Sequence, residues 1–483
     1  MPPSRRAFYR LTESLRSLQT ACGRSQVMYE IGGSRRCEPI LLTKRINLYK
    51  SGRNLQINLH ISKNLRIFAA NLEYCIYMAH LHLENIGPIS IVDIDLCRYN
   101  VFIGPQSSGK STIAKLISFC SWVEKRVATT LSENIFANAE DFKTQAEDYH
   151  KMHGYFNEES VLEYSSDIIQ IMYKENEFSL KLLNKTAYKR KKILYIPSDR
   201  NLVAMDKLDR LIVETNTNLR GFMFDWFDAR ETYGKEHHLN ILDLNMEYYY
   251  DKDAKVNKDK IIHINGKTYE IALSDASSGL QSVTPLTLLL NYFSNKYFSD
   301  YGKTITYEKE KEQKDLREKI NILISNSMLA FIAGKNNVIS SVESRFIYNN
   351  LTIPSSCNFI IEEPEQNLFP STQAQLISYL LNICNAQEKQ HSFSLTTHSP
   401  YILTQLNILL FAGILQKQGK AEQISEYVTN AITPEELNVY AVRANGTIES
   451  VIDTETNMIS QNYLDSVSEE LSIRFQQLYR LLF

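Results

Sequence analysis

Residues 78–483 predict an α/β fold. Strand-like and helical runs alternate along this part of the chain. A glycine-rich loop, Gly104–Ser111, falls between a short apolar strand and a helix. A second apolar strand, Phe359–Ile361, ends abruptly in Glu362 and Glu363.

The elements follow in order. His80–Leu83 and Ile89–Leu96 alternate with period two, so they read as strands around a Gly87-Pro88 turn. Asn100–Ile103 is a short buried strand. After the loop, Ile113, Leu116, Ile117, Cys120 and Val123 recur at helical spacing. A polar helical stretch and a hairpin near Ile168–Leu183 lead to a core strand, Lys191–Ile196, ended by Pro197. Residues 200–258 read as helical, then polar and Tyr-rich. Asn265-Gly266 marks a hairpin over Ile261–Leu273. Helices are expected over Gln281–Phe298, Ser371–Ala386 and Gln461–Phe483, and strands over Asn358–Ile361 and Ser392–Thr396. A second Asn-Gly hairpin sits at Asn445-Gly446. The charge run in Tyr307–Asn326 reads as a solvated helix face. No internal repeat or sustained heptad series is visible.

The first 77 residues differ. They carry thirteen Lys and Arg against four Glu. Such a stretch fits an organelle transit peptide, a basic arm for nucleic acid, or an upstream region ahead of translation starting at Met78. Organised sequence begins at Met78, and the third reading is the one adopted.

Composition bounds the function. The chain has 483 residues, 43% hydrophobic, with a formal net charge of −2. A nucleic-acid contact would therefore need a local basic patch. The seven cysteines form no Cys-x-x-Cys pair, which argues against a zinc site or disulfide framework and suits a reducing cytoplasm. The longest apolar stretch, Tyr401–Leu415, is interrupted by Thr404, Gln405 and Asn407, so a buried helix is expected rather than a membrane span.

Four motifs carry chemistry. Gly104-Pro105-Gln106-Ser107-Ser108-Gly109-Lys110-Ser111, followed by Thr112, matches the phosphate-binding loop pattern at every fixed position. Its glycines let backbone N–H groups face phosphates, Lys110 would bridge the β- and γ-phosphates, and Ser111 would bind Mg²⁺. Glu362 would hold Mg²⁺ through water, and Glu363 would activate the attacking water. Ser278 and the Gly279 N–H offer either an anion site at a helix start or an ordinary cap. His398, in Thr396-Thr397-His398-Ser399-Pro400, is placed to contact a γ-phosphate.

This order of motifs resembles ABC-type ATPase heads. It is most similar to the branch of RecF, the overcoming-lysogenization-defect (OLD) proteins and structural-maintenance-of-chromosomes (SMC) heads, often labelled an abortive-infection AAA domain. The similarity rests on Glu362-Glu363-Pro364-Glu365 and Thr396–Pro400, with Tyr195–Arg200 as a further likeness, and covers Met78 to the C-terminus. It implies a P-loop NTPase head with an antiparallel β subdomain and an inserted helical lobe. Insertions would fall near residues 125–190, 200–260 and 300–350. It implies ATP and Mg²⁺, and an ATP sandwich in which Ser278 and Gly279 of one protomer cap the nucleotide of another. The loop from Glu365 to Leu368 would lie across that interface, and His398 would be the switch histidine. The signature keeps only Ser278, Gly279 and Gln281 of the transporter form, and no Q-loop glutamine is identified.

The expectation is a cytoplasmic, homodimeric ATPase clamp in DNA repair or anti-phage defence, acting with a separate nuclease or other effector. A toxin-like module that controls a partner protein without DNA is the alternative, as is the ATP subunit of an ABC transporter. A GTPase is disfavoured, because Asn257-Lys258-Asp259-Lys260 lacks the Asp of a guanine reader. No Toprim nuclease domain is expected: Asp453, Glu455 and Asp465 form no Asp-x-Asp pair.

Overall fold

The structure, a computed structural model, describes residues 46–50, 53–57, 78–184, 186–205, 217–266, 268–301, 314–322, 324–325, 341–385, 389–460 and 466–480. The chain divides into two units, residues 1–74 and 75–483. In the first, β1 (Ile46–Lys50) and β2 (Arg53–Ile57) pair antiparallel, Ile46 opposite Ile57. Poor hydrophobic periodicity hid this pair from the sequence reading. The rest of the basic stretch lies outside the described residues.

In the second unit, β3 (Ala79–Ile86) and β4 (Ile89–Leu96) form the expected hairpin. Next come β5 (Tyr99–Ile103) and the antiparallel run β6 (Val161–Ser166), β7 (Ile169–Lys174) and β8 (Glu177–Leu182). Strands β6, β7 and β8 join β3 and β4 in one antiparallel sheet of order β4-β3-β6-β7-β8. Within the 125–190 segment, the strands between residues 161 and 182 therefore extend an existing sheet. Strand β9 (Lys191–Ile196) follows. A second antiparallel sheet contains β10 (Leu239–Asn240), β11 (Met246–Tyr250), β12 (Asp259–His263) and β13 (Tyr269–Ala272). The helical lobe expected near 200–260 is thus partly a sheet. Its Tyr-rich stretch forms β11, because consecutive aromatic side chains suit a pleated surface.

The remaining strands are β14 (Ser356–Glu362), β15 (Ser392–Thr397), β16 (Leu437–Val442) and β17 (Ile448–Ser450). They complete a six-stranded sheet of order β17-β16-β5-β15-β14-β9. Five of its strands are parallel and β17 is antiparallel. Buried side chains alternate across it. Tyr99, Val101, Ile103, Phe359 and Ile361 enter one core, and Phe102, Tyr195 and Ile360 the other. A parallel sheet covered on both faces needs such near-continuous apolar strands.

The longer helices among the described residues are α1 (Lys110–Thr130), α2 (Ala139–His150), α3 (Asn218–Arg230), α4 (Ser278–Ser294), α5 (Ser341–Thr352), α6 (Pro370–Asn385), α7 (Pro400–Lys417) and α8 (Ser466–Tyr479). Helix α1 buries Ile113, Leu116, Ile117, Cys120 and Val123, the stripe read from the sequence. Helix α7 buries Ile402, Leu403, Leu406, Leu409 and Leu410 and exposes Ile408 and Phe411. Among the described residues, no helix is long and apolar enough to cross a membrane. Of the charged 307–326 stretch, 314–322 and 324–325 are helical and the rest lies outside the described residues.

Both described cores draw their residues from Ala79 onward. Removal of residues 1–77 is expected to leave the fold of 78–483 intact. Circular dichroism and a melting curve check this; collapse of the cooperative transition would show that the removed segment completes the core.

Candidate nucleotide site

Parallel strands place their C-terminal ends at one edge, where ligands of α/β sheets bind. In the central sheet, Ile103 of β5 pairs with Thr397 of β15, and Thr396 pairs with Glu362 of β14. The residues that follow, Gly104, His398 and Glu363, therefore emerge side by side. Three motifs far apart in sequence meet there.

The loop from Gly104 to Gly109 turns directly from β5 into α1. A Cβ on Gly104 would come 2.1 Å from the Val442 carbonyl oxygen, so no side chain fits. Gly109 has φ +108 and caps α1 with no side-chain hydrogen bond. The first N–H groups of α1 are thus left for an anion at the positive end of its dipole. Pro105, Gln106 and Ser107 are exposed, while Ser108, Lys110 and Thr112 are buried. The Ser108 hydroxyl makes no hydrogen bond.

Lys110 folds back into its own loop. Its Nζ donates to the carbonyls of Gly104 at 3.0 Å and Pro105 at 2.6 Å. Burial pulls its pKa down to about 8, against the opposing charges of Glu363 and Glu365. A polyphosphate would restore the charged form. Its affinity should then be fullest below pH 8 and fall as pH rises through that value, with proton uptake on binding. Calorimetry at about pH 8.5, in two buffers of different ionisation enthalpy, checks this. Identical heats would contradict it.

The acidic strand end is tightly held. Glu362 is buried; its Oε2 accepts from the Ser198 N–H at 3.2 Å. Its Oε1 makes no hydrogen bond, although the Tyr195 phenol lies near enough for Glu362 to add to the upward shift that burial gives it. Glu363 has a left-handed backbone, φ +42, rare for a residue with a side chain and a mark of stored strain. Its N–H donates to the Thr396 carbonyl at 3.0 Å. Its Oε1 lies 3.3 Å from His398 Nε2. That contact is the main cause lowering its carboxyl pKa, helped by Lys110 and Arg200 and opposed by burial. A carboxylate kept ionised at the mouth of the site can accept a proton from water.

Two residues make contacts that the motifs do not show. Glu365, expected in an interface loop, is mostly buried, and its Oε1 accepts the His398 N–H at 2.6 Å. It anchors the His398 backbone. Arg200 is 0% exposed and donates to backbone carbonyls on both sides of the acidic strand end. The Tyr195–Arg200 segment was visible in the sequence, but the acidic-strand carbonyls that Arg200 holds lie 162 and 163 residues away.

Ser278 and Gly279 open α4. Ser277 caps α4, its side chain accepting from the Leu280 N–H, and Ser278 is exposed in the first helical turn. A Cβ on Gly279 would sit 2.9 Å from the Asn367 carbonyl, so this helix start packs against the loop after Glu365. Among the described residues, no hydrogen bond or ion pair joins Ser278 or Gly279 to residues 104–111.

Among the described residues, no group of three His, Cys, Asp or Glu side chains is arranged to hold a metal alone. Magnesium at phosphate sites needs less, because one or two protein groups and the phosphates suffice. The Glu362 Oε1, buried at the end of β14 without a hydrogen bond, fits that demand.

Fold and site together define an α/β protein with a glycine-rich strand-to-helix loop and a glutamate–histidine pair at its sheet edge. No family model and no curated protein matches the chain. Solved structures are similar to it. An SMC head domain from Thermotoga maritima is 11% identical, with 77% of this chain and 97% of that chain covered and a TM-score of 0.31. An Smc head with an extended coiled coil, bound to the C-terminal domain of ScpA derived from Pyrococcus furiosus, is 10% identical, with coverage of 82% and 99% and a TM-score of 0.29. RecF of the RecFOR pathway is 10% identical, with coverage of 78% and 98% and a TM-score of 0.26. At such loose overlap the site rests on its own strands and loops.

Proposed function

We propose that the chain is an ATPase that binds ATP and Mg²⁺ at Gly104–Thr112. The observation that carries this is the meeting of Lys110, Glu363 and His398 at one sheet edge, through the pairing of β5, β15 and β14. The loop N–H groups and Lys110 would take the phosphates. Ser111 and Glu362 would hold Mg²⁺, which offsets phosphate charge when bound. Glu363 would orient the attacking water and accept its proton, and His398 would hold Glu363 and face the γ-phosphate. Hydrolysis adds water to the γ-phosphorus and releases ADP and phosphate.

By the motif resemblance, ATP would join two copies, with Ser278 and Gly279 of one completing the site of the other. The exposed position of Ser278 suits contact with a second chain. The ATP-dependent clamp would act on DNA in repair or phage defence and rely on a separate effector. Phosphate release with and without added DNA tests this; turnover that DNA leaves unchanged counts against the clamp on DNA.

Cutting is not expected from this chain. Asp453, one of the acids after His398, spends its Oδ1 on the N–H groups of Glu455 at 3.0 Å and Thr456 at 2.7 Å. It caps its own turn. Pure protein incubated with supercoiled plasmid, ATP and Mg²⁺ or Mn²⁺ should leave the plasmid intact. Cleavage lost on mutating an acid after position 398 would overturn this.

A further inference from the structure

Among the described residues, Arg200 is the largest charged side chain that is fully buried. A guanidinium in that position is costly unless its donors are satisfied. Here they are met largely by backbone. Its Nη1 donates to the Glu362 carbonyl at 2.9 Å and the Pro197 carbonyl at 3.3 Å. Its Nη2 donates to the Glu363 carbonyl at 2.8 Å, and its Nε to the Ser282 carbonyl of α4 at 3.0 Å. Burial lowers its pKa to about 10, with Glu365, Glu363 and Glu362 opposing. It stays charged at neutral pH.

These bonds fall on a strained point. Glu363 holds φ +42, a strained conformation that persists only where surroundings over-determine it. Its peptide groups are gripped from two sides, the N–H by the Thr396 carbonyl and the carbonyl by Arg200. The same guanidinium reaches α4 one turn beyond Ser278 and Gly279. Asn367 Nδ2 adds a parallel tie to Ser282 Oγ at 3.2 Å.

We propose that Arg200 is a positioning residue for hydrolysis. It locks the Glu363 backbone so that the carboxylate meets His398, and it ties that strand end to the helix carrying Ser278 and Gly279. The proposal rests on the ATPase reading. Without Arg200, Glu363 relaxes toward an ordinary backbone and its carboxylate leaves the attack position. Phosphate binding depends on the loop and stays.

The test is a double-mutant cycle between Arg200 and Glu363 in the full chain. Arg200→Lys and Arg200→Gln should each bind ATP within about 3-fold of wild type and lose roughly 30-fold or more in kcat. In a Glu363→Gln background, the same substitutions should change the residual rate by less than about 2-fold, because the group they position is already gone. Equal losses in both backgrounds would show a general structural role and overturn the proposal, as would unchanged kcat. Failure of both variants to fold would assign Arg200 to core stability and also overturn it. A wild-type protein without turnover would refute the ATPase reading itself, which separates the two failures.

Discussion

Lys110→Ala is expected to weaken ATP binding severely. The ammonium is buried and directed into the loop carbonyls, poised to exchange them for phosphate oxygens. Charge-assisted hydrogen bonds contribute about 1.5–3 kcal/mol, so the dissociation constant should rise roughly 10- to 150-fold. The fold should survive, because alanine suits a helix start and removes a buried charge. Calorimetry with ATP and Mg²⁺ reads the change. Undiminished affinity would remove nucleotide binding from the loop.

The second large effect is expected at Glu363. Glu363→Gln keeps shape and the His398 contact while removing the base, so turnover should fall roughly 100- to 10,000-fold with ATP affinity preserved. If ATP joins two copies, the slow variant should also accumulate as a dimer. Light scattering behind size exclusion, with and without ATP, checks this. A variant that stays monomeric at saturating ATP argues against the sandwich.

Much of the site was legible because its chemistry is local in sequence. Gly104–Ser111 needs a strand before it and a helix after it, and β5 and α1 supply both. Glu362 and Glu363 follow an apolar strand, so their place at a sheet edge could be read directly. Tertiary contacts were not legible. That Glu365 turns inward to hold the His398 backbone depends on β14 and β15 being neighbours. Arg200 stands out in the sequence only within the Tyr195–Arg200 likeness, since its carbonyl partners are residues of any kind. The helix start at Ser278 was close to legible, but the capping side chain is Ser277. Neither β6 nor its pairing with β3 was read from the sequence, and alternation in any case says nothing of a strand's partner.

The central claim is that one sheet edge both binds ATP and hydrolyses it. It is tested most directly by following bound nucleotide and released phosphate in the same sample, for wild type and Glu363→Gln side by side. The account predicts equal ATP binding by both and phosphate release at least about 100-fold slower in the variant. Phosphate release at the same rate from both proteins, or no ATP bound by either, would contradict it.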